Sequence, residues 1–213
     1  MIDRYALSPM KDLWTEQAKY ERWLQVELAV LEAQSKLGQV PDGVYDTVKA
    51  CATINLDRIA EIEAEIKHDV LSFVRSLEEI AGEPGRWLHM GLTASDVVDT
   101  ANALAMNTAF GWLIEDVDAL LASVKKRAFE YKTTLMVGRT HGMHAEPITF
   151  GLKLLNWYSQ LERDRQRLVN ALALLARMPT LIRKWNRWRV RLWDSNPLKF
   201  PARFYSGIVT PKP

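Results

Sequence analysis

Thr93 to Tyr131 reads TASDVVDTANALAMNTAFGWLIEDVDALLASVKKRAFEY, and this stretch decides the fold class. It opens on Thr93-Ala94-Ser95-Asp96, hydroxyl caps with an acid in the first turn, facing the positive end of a helix dipole. Val97, Ala101, Leu104, Ala105, Leu113, Ile114, Val117, Leu120, Leu121 and Val124 then return at helical spacing. One long helix is therefore expected, ending near Tyr131.

Working outward, the same period recurs. Leu13, Tyr20, Leu24, Leu28 and Leu31 share a face of a helix bounded by Ser8-Pro9 and by Gly38 and Pro41. A second helix is expected over about Leu56 to Ile80, closing at Gly82-Glu83-Pro84-Gly85, and Arg86 to Leu92 reads as a loop. Gly138 to Glu146 reads as another loop. Pro147 is then expected to open a helix whose Leu154, Tyr158, Leu161, Leu168, Leu172 and Leu175 keep a 3–4 alternation, broken only by Arg165. No strand pattern stands out, so the expected fold is all-α. Residues 1–92 read as an N-terminal helical domain and 93–176 as the start of a central helical bundle.

Composition narrows the class. A chain of 213 residues, 48% hydrophobic and 25% charged, is ordinary for a globular protein with a real core. No apolar run approaches the roughly 18–20 residues that span a bilayer, and the start of the chain has no signal-peptide pattern. Cys51 alone makes no internal disulfide, which fits a cytoplasmic setting. The net charge of +2 is unevenly spread. From Arg177 onward nine Lys/Arg face Asp194 alone, while the preceding residues carry 19 bases and 25 acids.

Five of the nine prolines also fall after residue 176, and Trp185, Trp188 and Trp193 interleave there with arginine and lysine. No helical or strand period survives, so 177–213 reads as a divergent basic tail, disordered or foreign to the body. The Trp/Arg-rich run is what a Gly/Ala-rich coding segment yields when its frame shifts by one base. Read instead as a genuine feature, the tail would suit stacking on single-stranded nucleic acid, attached to a non-catalytic helical interaction module. That alternative leaves two polar, glycine-flanked loops without a purpose.

Those loops carry the chemistry. Gly138-Arg139-Thr140-His141-Gly142 sets an imidazole between glycines, beside a cation suited to carboxylate or phosphate. Gly91-Leu92-Thr93-Ala94-Ser95-Asp96 presents hydroxyls and free amides at a helix start, which suits an anion. His68, in Lys67-His68-Asp69-Val70, and His89, in Leu88-His89-Met90, lie at helix ends or in loops. Each histidine alone reads as a cap or surface residue, and His68 in particular as a cap for Val70–Ala81. His141-x-x-His144 with Glu146 has the residue types of a metal site, but Gly142 interrupts the helix that would align the rings, and no cysteine is near. Together the loops point to acid–base chemistry on a polyanionic small molecule.

Arg139-Thr140-His141-Gly142-Met143-His144-Ala145-Glu146-Pro147-Ile148-Thr149-Phe150-Gly151 closely resembles a segment of the adenylosuccinate lyases. Lys67-His68-Asp69-Val70, Gly91 to Thr100, and Arg4-Tyr5 resemble that family too, in order and with its spacing, over residues 1–176. Related fumarases and argininosuccinate lyases share the fold but continue differently after the Thr140-His141 pair. The resemblance implies β-elimination of fumarate from adenylosuccinate, giving AMP, and from the succinylated carboxamide ribotide of purine synthesis, with no metal or organic cofactor. It implies His141 as general acid and His68 as the residue that orients it and contacts substrate. It places His89, Lys67, Asp69, Ser95 and Thr140 in the same site, Thr93 and Ala94 at the succinyl carboxylates, and Arg4 and Tyr5 at the nucleotide. Ala94 departs from the family's usual serine; Ser95 or the amide of residue 94 can compensate. The family's base, a serine in a Gly-Ser-Ser-x-Met-Pro-x-Lys-x-Asn-Pro loop, has no counterpart in these 213 residues. The family's homotetramer, which builds each site from three subunits, is likewise implied only for the intact enzyme.

Overall fold

The computed structural model describes residues 2–175; the expectations for 177–213 lie outside them. Helix dominates. In chain order come a 3₁₀ turn at Asp3–Tyr5, α1 (Met10–Leu13), α2 (Glu16–Lys36), α3 (Val44–Cys51), α4 (Leu56–Ile66) and α5 (Asp69–Ala81). A second 3₁₀ turn at Glu83–Trp87 precedes α6 (Ala94–Glu130), a hairpin of β1 (Leu135–Thr140) and β2 (Met143–Thr149), and α7 (Phe150–Leu175). The chain divides into two compact units, one reaching Met106 and the other beginning at Asn107.

The expected first helix is two, because Thr15 starts a new one: its side chain accepts the amide of Ala18 at 3.2 Å. Pro9 sits at the cap of α1 rather than at its first helical position. The helix expected over Leu56 to Ile80 is also interrupted. Lys67 turns left-handed at φ 56°, ending α4, and His68 takes an extended backbone to start α5. Apolar periodicity ran through this break because α4 and α5 both feed one core, and two residues do not erase a stripe.

That core belongs to the first unit. Phe73 of α5 stacks on Tyr20 of α2 at 5.7 Å between centroids and meets Trp23 edge-on at 5.6 Å, while Tyr20 and Trp23 meet each other edge-on at 5.1 Å. Val26, Leu31, Val48, Ile59, Val70, Leu77, Leu88, Val97 and Ala101 pack into the same cluster, so the first turns of α6 are anchored there. Gly85 lets the second 3₁₀ turn lie against α5: a Cβ on it would stand 2.8 Å from the Cα of Glu78.

In the second unit the stripe on α7 is as the sequence implied. Leu154 is buried, and Tyr158, Leu161, Leu168, Leu172 and Leu175 are half-buried. Arg165, the one charge in the series, pairs with Asp118 of α6, its Nη2 donating to Oδ2 at 2.9 Å and its Nε to Oδ1. Gly151 approaches the far end of α6, where a Cβ would lie 2.6 Å from the carbonyl oxygen of Ala128. Partners 118–165 and 128–151 make α7 run back along α6.

The loop expected from Gly138 to Glu146 is instead an antiparallel hairpin, and Pro147 lies in β2, so α7 opens at Phe150. The register shifts between Val137↔Pro147 and Arg139↔His144, so Ala145 and Glu146 together oppose Gly138. This is a β-bulge, and it hides the strand period in sequence. Pro147 is tolerated because a two-stranded ribbon has only edges.

Candidate active site

His141 occupies the tip of the hairpin. Thr140 pairs with Met143, leaving His141 (φ 50°) and Gly142 (φ 75°) as the two turn residues, both left-handed, the signature of a type I′ turn. Arg139, Thr140, His141 and His144 are all exposed. His144 pairs across the ladder with Arg139, one step below the tip. Among the described residues, no three His, Cys, Asp or Glu side chains converge as a metal site would require.

His68 caps α5. Its Nδ1 accepts the amide of Leu71 at 3.3 Å, while its carbonyl accepts both the amide of Ser72 at 3.0 Å and the Ser72 hydroxyl at 2.5 Å. The capping role read from sequence is therefore real. It also has a chemical consequence: with Nδ1 accepting, neutral His68 carries its proton on Nε2. Asp69 Oδ1 accepts the amide of Val70 at 2.7 Å and stands 3.6 Å from His68 Nδ1. Lys67, His68 and Asp69 are all exposed.

His89 is held differently. Its backbone is left-handed at φ 60°. Glu27 of α2 accepts its amide on Oε2 at 2.9 Å and faces its Nδ1 with Oε1 at 2.6 Å. The hydrogen bond to Glu27 raises the imidazole's pKa above its ordinary value, against the opposing effect of burial; the charges of Glu27, Asp96 and Glu78 add to the rise. Next to it, Gln34 Nε2 donates to the carbonyl of Met90 at 2.8 Å. Glu27 was not legible as the partner of His89, because it sits on the buried face of α2 among Trp23, Val26 and Val30. The available signal was a lone carboxylate on an apolar stripe, which needs a partner.

Thr93 stands at the cap of α6. Asp96 Oδ2 reaches back to accept its amide at 2.9 Å, one half of a capping box. The amides of Ala94 and Ser95 lack intrahelical acceptors, as the first residues of any α-helix do. Thr93 and Ser95 are exposed and Ala94 half-buried. Arg4 lies over the Tyr5 ring, 4.8 Å from its centroid, with Tyr5 exposed to solvent. Thus the first unit holds Arg4, Tyr5, Lys67, His68, Asp69, His89, Thr93, Ala94 and Ser95, and the second holds Thr140 and His141. A groove of about 450 Å³ in the second unit, lined by Lys125, Phe129, Lys132, Leu152, Leu155 and Tyr158 among others, contains none of them.

Comparison with known proteins gives the chain a family. The sequence model of a family described as "Lyase" matches residues 4–180, and the chain belongs to that family. The adenylosuccinate lyase of Thermotoga maritima is 49% identical over 172 residues, covering 81% of this chain and 40% of the relative. That of Synechocystis sp. is 44% identical over 176 residues, covering 83% and 41%. The chain thus spans about two fifths of the length of these curated relatives. Among solved structures, fumarate lyase from Mesorhizobium sp. BNC1 superposes with a TM-score of 0.75 at 27% identity, covering 86% of this chain and 48% of that one. The 3-carboxy-cis,cis-muconate lactonizing enzyme from Pseudomonas putida follows at 0.73 and 26%, covering 77% and 39%. Among the described residues no helix is long and apolar enough to cross a membrane.

Proposed function

We propose that this chain is part of a cytoplasmic adenylosuccinate lyase, which eliminates fumarate from adenylosuccinate and from the succinylated carboxamide ribotide. The observation that carries the site assignment is conformational. Among the described residues, the non-glycine positions with positive φ are Lys67, His89 and His141, and all three belong to motifs selected from sequence for their chemistry. A left-handed backbone costs an L-residue about 1–2 kcal/mol, and such cost is characteristically kept where a side chain must be presented in one direction.

Elimination needs a base for the proton beside a carboxylate and an acid for the departing nitrogen. His141, exposed at a rigid two-residue turn, is the acid in this reading. His68, whose Nδ1 accepts the Leu71 amide, donates from Nε2, and in the intact enzyme it orients the acid and contacts substrate. The amides of Ala94 and Ser95 and the hydroxyls of Thr93 and Ser95 receive the succinyl carboxylates, and the side chains of Arg4 and Tyr5 the nucleotide. The base, and the partner subunits of the homotetramer, belong to the rest of the enzyme.

In the complete enzyme, His141→Ala is expected to lower kcat by about 10²–10⁴-fold, the usual weight of a general acid, with the fold unchanged by circular dichroism. Near-normal turnover would remove His141 from the mechanism. The 213-residue chain alone is expected to show no lyase activity above a heat-killed control in a continuous absorbance assay; clear turnover would mean that a residue of this chain serves as base.

A further inference from the structure

The contact between Glu27 and His89 goes beyond what this reading requires of either residue. Glu27 is 1% exposed, on the core face of α2, yet neither carboxylate oxygen is directed to a helix end or a surface cation. Both meet one residue 62 positions away: Oε2 its backbone amide, Oε1 its ring. A carboxylate taken out of water needs a compensating charge, and the ring is its partner in the described structure. The amide contact fixes the left-handed backbone of His89, and the ring contact fixes the imidazole through Nδ1. Nε2 is thereby left as the ring's second donor, on a side chain 23% exposed. Asp96 and Glu78 are the other charged groups that act on the ring.

We propose that Glu27 is a positioning residue of the substrate site, clamping His89 by backbone and ring so that it stands as a fixed imidazolium donating Nε2–H to an anionic group of the substrate. The clamp is drawn from geometry alone; the substrate role rests on the lyase reading given above. A neutral His89, by contrast, would have no proton on Nε2 once Nδ1–H was committed to Glu27, and would offer an anion only a lone pair.

The test is ¹⁵N NMR of the 213-residue chain with labelled histidine, titrated with pH, for the parent and Glu27→Gln. In the parent, the His89 ring is expected to stay doubly protonated above the ordinary histidine range. In Glu27→Gln its midpoint should fall by about one pH unit or more, the usual reach of a carboxylate at this range. An unchanged midpoint overturns the clamp and leaves the lyase reading intact. Should Glu27→Gln fail to fold, the parent decides: an Nδ1–H resonance protected from exchange is expected, and a ring lacking it overturns the clamp. With AMP and, separately, fumarate as probes, the His89 Nε2 shift should move in the parent, and binding should weaken at least tenfold in the variant. If the midpoint falls as expected but neither probe moves Nε2 while other residues respond, the substrate role is overturned and the lyase reading stands. Silence from every residue to both probes overturns the substrate role of the clamp, while the lyase reading, whose site the rest of the enzyme completes, stands.

Discussion

Arg165 of α7 donates to both carboxylate oxygens of Asp118 on α6, at the one place where the apolar stripe of α7 is interrupted. A charge in a helix seam would normally be a flaw, but here the facing helix supplies its counter-ion. The side chains are 34% and 43% exposed, so water screens the pair. Arg165→Met should therefore change stability by only about 0–1 kcal/mol, measured by urea denaturation. A loss well above that range would show that the pair, rather than the stripe around it, holds α7 in place.

Gly151 tests the neighbouring contact in the opposite sense. A Cβ there meets the carbonyl of Ala128 and the backbone of Lys132, both at 2.6 Å, with no flexible side chain to yield. Gly151→Ala should cost about 1–3 kcal/mol, far more than removing the ion pair. A near-neutral result would mean that the helices separate freely at this crossing.

The hairpin separates two kinds of glycine. Gly138 faces the carbonyl of Glu146, 2.6 Å from where its Cβ would stand, whereas Gly142 has no heavy atom within 4 Å of its Cβ but a φ of 75°. Gly138→Ala should disrupt the bulge and speed amide exchange across 135–149. Gly142→Ala should keep the hairpin at a cost of about 1 kcal/mol for its backbone alone. Equal exchange in the two variants would contradict the bulge.

The pKa of His89, raised first by its hydrogen bond to Glu27, gives stability a pH dependence. Unfolded, the ring titrates near 6.5. Because the folded pKa is higher, the stabilisation is fully present below about pH 6.5 and is lost as pH rises through the folded value. The stability of the parent over Glu27→Gln, from paired denaturation curves, should therefore shrink as pH rises above about 6.5. A constant difference across that window would mean that the contact does not depend on the ring's charge.

Phe73, fully buried between Tyr20 and Trp23, is the anchor of the first unit. Phe73→Ala should cost about 3–5 kcal/mol, and thermal melting would read it directly. A small loss would indicate that the aromatic cluster collapses to fill the space.

Helices α2, α6 and α7 were legible because apolar residues recur in each at helical spacing over many turns, and a repeat of that length determines local structure almost unaided. His141 stood out as a candidate through the glycines around it, and His68 was legible as the cap of α5. What the sequence could not determine were the features that depend on a partner across space. The strands around His141 went unread because a bulge at Gly138 and a proline in β2 break the period of two, and only pairing defines them. The end of α4 at Lys67 went unread because it is a change of backbone conformation, invisible in a continuous apolar stripe. Glu27 had no role legible in the sequence; the tertiary structure brings His89 to it from 62 residues away. A buried carboxylate states only that a partner must exist; which residue it is depends on how the elements pack.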